Sequence, residues 1–154
     1  MTLKRALLYA GAAAILLACP KKEDPQPSRG GLKVSLPPGW VAEEGNLGAL
    51  RAGPRGRTVL LLQHQGEAPL PGPDALEGAV KAEGAELLEV TREDAVALVR
   101  YRVGTEADRA QAFVGARRLE GRLFLCASAP DISEAELRVA EGVCRDLKWG
   151  GVAP

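Results

Sequence analysis

Apolar and polar positions change period several times along the chain, and each change marks an element. Leu32-Lys33-Val34-Ser35-Leu36 alternates, the pattern of a half-buried strand, and Pro37-Pro38-Gly39 stops it. Trp40 opens a second segment, with turns expected at Gly45-Asn46 and Gly53-Pro54-Arg55-Gly56. Thr58 to Gln65 contains Val59-Leu60-Leu61-Leu62, apolar on both faces, which predicts a central strand. Asp74 and Glu77 have capping-box spacing and Gly84 suits a helix C′ position, so the pattern predicts a short helix over 75–83.

Two hairpins follow. Glu86–Thr91 and Ala95–Val103 flank the polar turn Arg92-Glu93-Asp94, and Ala97, Val99, Tyr101 and Val103 share one face of the second strand. Ala110–Leu119 and Arg122–Ser128 flank Glu120-Gly121. The last element carries the most signals. Ser133 with Glu136 makes a capping box, Ile132 and Leu137 have the spacing of a hydrophobic staple, and Leu137, Ala140, Val143, Cys144 and Leu147 recur on one face of a helix ending near Lys148. The expected fold is α+β: an antiparallel sheet of about six or seven strands, with a short central helix and a C-terminal helix packed on it.

Residues before this domain read as an address. Lys4 and Arg5 form a basic n-region, and Ala6 to Ala18 is an apolar run of 13 residues. A membrane-spanning helix needs about 20 apolar residues and a signal h-region about 7 to 15, so residues 1–18 read as an export signal. The run ends Leu16-Leu17-Ala18-Cys19, which resembles the bacterial lipobox and implies lipidation of Cys19 as the first mature residue. Pro20 to Gly31 reads P-K-K-E-D-P-Q-P-S-R-G-G, without apolar periodicity. Residues 19–31 are therefore expected to be a lipidated cysteine and a Pro/Gly tether reaching roughly 35 Å at most. A single domain over 32–150 and a short tail, 151–154, complete the chain. The expected place is the bacterial cell envelope; Pro20, where an aspartate would hold a lipoprotein at the inner membrane, favours the outer membrane facing the periplasm.

The segment Val34-Ser35-Leu36-Pro37-Pro38-Gly39-Trp40, a helix after two or three strands, and long hairpins before a C-terminal helix together resemble the PsbP/DcrB-like superfamily of small α+β domains. The resemblance covers most of residues 32–149. It implies an accessory or assembly role and supplies no catalytic residues.

Charge and composition narrow the chemistry. Twenty basic residues balance twenty acidic ones, and loss of Lys4 and Arg5 on cleavage would leave a formal charge of −2, so no nucleic-acid partner is expected. Aromatics are only 4% of the chain and His64 is the sole histidine, which leaves little for stacking or acid–base work. His64 lacks a nucleophile motif to serve, and the carboxylates Glu83, Glu86, Glu89, Glu93 and Asp94 fall at helix ends and turns, where charges are usually solvated. Gly53-Pro54-Arg55-Gly56 lacks the ending of a phosphate loop, and no Cys or His spacing suits a metal. Neither an enzyme nor a cofactor is expected.

With Cys19 lipidated, Cys126 and Cys144 remain as an even pair in an oxidising compartment; a disulfide between them is favoured over two buried thiols. Arg51, Arg55 and Arg57 flank one turn, and Arg117, Arg118 and Arg122 flank another. They read as solvated hairpin tips or as contacts to an acidic partner or lipid phosphates. The expectation is a non-catalytic module that is anchored in the membrane and binds another envelope protein. A carrier of a small apolar or lipid ligand is the alternative, and a hydrolase the least favoured.

Overall fold

A computed structural model describes residues 32–45 and 49–150. The expected signal sequence, the expected lipidation site Cys19, the expected tether, Asn46 and the tail 151–154 lie outside the described residues. The elements run β1 (Leu32–Lys33), β2 (Trp40–Glu44), β3 (Leu50–Pro54), β4 (Leu60–Glu67), α1 (Pro73–Ala82), β5 (Glu86–Glu93), β6 (Val96–Val103), β7 (Ala110–Leu119), β8 (Arg122–Ser128), α2 (Glu134–Arg145) and β9 (Lys148–Trp149). Strands β2 to β8 form one antiparallel sheet in the order β2-β3-β4-β8-β7-β6-β5. The fold is α+β, and each helix covers a different face of the sheet.

Strand alternation divides the core. On one face Leu60, Leu62, Val96, Leu98, Phe113, Phe124 and Cys126 meet Leu137, Ala140, Val143, Cys144 and Leu147 of the α2 segment. On the other, Ala97, Val99, Tyr101, Ala112, Val114, Ala116, Leu123 and Leu125 meet Leu76 and Val80 of α1. Both faces of β6, β7 and β8 are thus apolar, as a strand covered on two sides requires. The α2 layer is close-fitting: a Cβ at Gly115 would collide with the Leu98 side chain. Burial holds Tyr101 in its neutral form, with Glu83 reinforcing it, so its phenol is pushed up to about 12.

Local chemistry explains most boundaries. In the β7–β8 turn Glu120 and Gly121 both have positive φ, +47° and +81°, the combination of a two-residue type I′ hairpin. At the end of α1, Gly84 (φ +74°) donates its N–H to Lys81 O, and Ala85 donates to Val80 O, a Schellman closure. In α2, Glu136 N–H donates to Ser133 Oγ at 3.1 Å and Ser133 N–H donates to Glu136 Oε2 at 2.9 Å, so the capping box forms as expected.

Several boundaries differ from the sequence expectation: the central strand, expected over 58–65, runs Leu60–Glu67, and Gly53 and Pro54 of the expected turn belong to β3. Gly72, not Asp74, caps α1, because Pro73 occupies the first helical position and Asp74 falls inside the first turn. The β5–β6 turn shortens to Asp94-Ala95, and Arg92 and Glu93 continue the ladder. Of Leu32–Leu36 only Leu32 and Lys33 are strand, pairing with Trp149 and Lys148 in a separate ribbon. Helix α2 stops at Arg145 with Asp146 as its C-cap; Leu147 is fully buried all the same, and the chain then extends into β9.

Candidate functional site

The two arginine-rich turns lie at opposite ends of the sheet. Strand β4 runs against β8 from the pair Leu60↔Ser128 to the pair Glu67↔Arg122. Arg57 precedes the first pair and Arg122 belongs to the second, so a strand of seven residues, about 20 Å, separates the groups. No single flat partner patch collects all six arginines.

At the β3–β4 end, Arg57 is engaged within the fold. Its guanidinium makes a two-pronged contact with Glu136, at 2.6 and 3.2 Å, and donates to Asp131 O at 3.1 Å, which ties the turn to the start of α2. Glu136 is held below the usual carboxylate range, first by the Ser133 backbone N–H, which desolvation opposes, with the Ser133 hydroxyl and Arg57 adding to the depression. Arg51 and Arg55 are exposed and have no carboxylate partner among the described residues.

The β7–β8 end is built differently. His64 stacks on Phe124 with ring centroids 4.9 Å apart, and Phe124 meets Trp149 at 5.9 Å. The Arg122 guanidinium lies over the Trp149 ring, 4.6 Å from its centroid, a cation–π contact. Arg117 faces Phe124 and Leu119 faces Arg122 in the β7–β8 ladder, so Arg117 and Arg122 are diagonal neighbours on the α2 face, Cα atoms about 7–8 Å apart. Arg117 Nε is buried and lacks a hydrogen-bond partner among the described residues, a state that costs about 1–3 kcal/mol. Arg118 points to the opposite face and is exposed. Lys33 and Lys148 stand directly across the β1–β9 ribbon from each other, both exposed. None of these five cations has a carboxylate partner among the described residues.

The remaining candidates are dispersed. Glu86 pairs with Arg102 (3.4 Å), Glu89 with Arg100 (3.5 Å) and Glu93 with Arg145 (3.7 Å), while Glu83 caps α1. Glu86, Glu89 and Glu93 lie along the edge strand β5, each held by a different arginine. His64 Nε2 is buried, on the same sheet face as Phe124. Cys126 and Cys144 are joined, with Cα atoms 6.2 Å apart and a sequence separation of 18, clamping β8 to α2. Among the described residues no group of three or more His, Cys, Asp or Glu is placed to hold a metal.

One polar network escaped sequence reasoning. Arg100 on β6 makes a bidentate contact with Glu141 on α2, at 2.9 and 2.6 Å, and the side chains are only 19% and 11% exposed. The Glu141 hydrogen bond, opposed by desolvation, raises the Arg100 guanidinium above its usual value. A signal existed: Glu141 falls beside Ala140, four residues after Leu137, on the buried stripe of α2, where a charge needs a partner.

Comparison with family models and with curated proteins finds no match to the chain.

Proposed function

We propose that the chain is a lipoprotein of the bacterial cell envelope, held by a lipid on Cys19, whose α+β domain is a non-catalytic module that binds or helps assemble another envelope protein. The observation that carries the binding half is the state of the surface arginines: at the β3–β4 end Arg51 and Arg55 project without carboxylate partners, while Arg92, Arg102 and Arg138 are paired within the fold. Arginine forks left open are suited to directional contacts with an acidic surface. The space a carried ligand would need between sheet and α2 is filled by Phe113, Phe124, Leu60, Leu62, Leu137 and Leu147, all less than 2% exposed. The anchoring half rests on the basic n-region, the 13-residue apolar run and the Leu16-Leu17-Ala18-Cys19 ending.

Replacing Cys19 with alanine tests the anchor. The wild-type protein should partition into detergent and carry a lipid-modified N-terminal peptide, while Cys19→Ala should retain the unprocessed signal sequence and its larger size. A Cys19→Ala protein that matures to the wild-type size and partitions equally would overturn the lipoprotein reading.

A further inference from the structure

We propose that the β7–β8 end of the domain docks on the phosphate layer of the membrane, with Arg117 and Arg122 as the phosphate-binding pair and Trp149 at the interface. The proposal builds on the lipoprotein reading, because the chain linking the domain to Cys19 joins it at this end. Leu32, the first described residue, pairs with Trp149, and Trp149 carries the Arg122 guanidinium on its ring.

Two like charges on neighbouring positions of one sheet face repel unless an anion lies between them. Here both guanidiniums lack a carboxylate partner among the described residues, and because the Arg117 Nε–H is enclosed, its terminal guanidinium nitrogens are the ones that would meet phosphate oxygens. Glu67 stands opposite Arg122 across a register shift and forms no ion pair with it. The cation–π contact fixes one fork in place, which suits bidentate contact with phosphate oxygens. Lys33 and Lys148 extend the cationic edge, and a tryptophan beside such residues matches the amphipathic composition of a membrane interface. Glu120 in the neighbouring turn and Asp94 at the β5–β6 turn keep this end from being a broadly basic patch. Recognition therefore rests on the two forks and the ring more than on net charge. A weak contact is enough, because a tether of twelve residues holds the domain at an effective concentration near the millimolar range.

The chain has two tryptophans, one at each end of the sheet: Trp40 pairs with Pro54, and Trp149 lies beside Arg122. The full chain isolated from the cell envelope would be reconstituted in vesicles of phosphatidylethanolamine and phosphatidylglycerol containing a headgroup spin-labelled lipid. Trp40→Phe leaves Trp149 as the reporter, and Trp149→Phe leaves Trp40. Quenching of Trp149 should be several-fold stronger than that of Trp40, and in the Trp40→Phe background R117Q/R122Q should bring it down to the Trp40 level. R117K/R122K, which keeps charge and stem, should restore part of it, so loss of contact is told apart from loss of fold. Equal quenching of the two tryptophans, or quenching indifferent to R117Q/R122Q, would overturn the docking. So would arginine-dependent binding of inorganic phosphate in detergent without Trp149 quenching on vesicles, which would assign the pair to a free anion. The mass of the N-terminal peptide reports lipidation separately, so failure of the anchor and failure of the docking remain distinct.

Discussion

Removing the Arg100 side chain would leave the Glu141 carboxylate beneath the sheet-facing side of α2 with no counter-charge, the costly way to break a buried pair. Fully buried pairs lose about 3–5 kcal/mol on such truncation and exposed ones less than about 1, so Arg100→Met should cost about 2 kcal/mol at these exposures. R100M/E141L, which removes both charges, should recover most of that; a urea midpoint for the double variant as low as for the single one would show that packing, not charge, is at stake. Glu136 makes a pH prediction. Its folded-state pKa is depressed by the Ser133 N–H and hydroxyl and by Arg57, so the unfolded chain takes up its proton first as pH falls. The stability it contributes is present above the ordinary value of 4.5 and is lost as pH drops below that through the folded value. Glu136→Gln should therefore be less stable than wild type at neutral pH and show a flatter decline below pH 4.5 in chemical denaturation. Parallel declines for the two proteins would remove Glu136 from the acid-side account.

Elements whose signals are local were readable, and those defined by distant partners were not. The Ser133–Glu136 box and the Glu120-Gly121 turn each lie within a few residues, so sequence spacing carries them. The β1–β9 ribbon joins the two extremities of the domain, and nothing near Lys148 announces Lys33. Leu147 continues the apolar phase of α2 after the helix has ended, so periodicity placed the boundary too late. Of the candidate site, the residue types were legible but not their separation, because the order β4-β8-β7 that puts the arginine turns at opposite ends is set by long-range pairing. The clamp between β8 and α2 is the testable element-level feature. Closing a loop over 18 residues constrains the unfolded chain by about 3 kcal/mol. Reduction of the wild-type protein should lower its urea midpoint accordingly, and C126A/C144A, which also removes two buried sulfurs, should lie at or below the reduced protein. Two thiols alkylated in unreduced, denatured protein would refute the clamp.

At the scale of the whole molecule, the proposed anchor on Cys19 would give the sheet a proximal and a distal end. The chain enters at Leu32 beside Trp149, whereas Trp40, Arg51 and Arg55 lie at the far end, past the length of β4. Under the proposed anchoring, the end away from the membrane would be the one that meets another envelope protein, and there the open guanidiniums are those of Arg51 and Arg55. Reversal at Arg55 adds repulsion to the loss of a fork and does not touch the Arg57–Glu136 contact, so the fold should survive it. Arg118 is exposed at the proximal end on the α1 face, away from the Arg117–Arg122 pair. Arg55→Glu should therefore impair complementation of a deletion strain more than Arg118→Glu. His64→Ala, Glu83→Gln and Glu93→Gln should leave complementation near wild type, because His64 is stacked on Phe124 and the two acids face solvent or a surface arginine. The outcomes separate the classes of function. A dead His64→Ala with silent reversals at both ends, at unchanged protein level, would turn the reading to an enzyme. Equal damage from Arg55→Glu and Arg118→Glu would instead require a partner that spans both ends of the sheet.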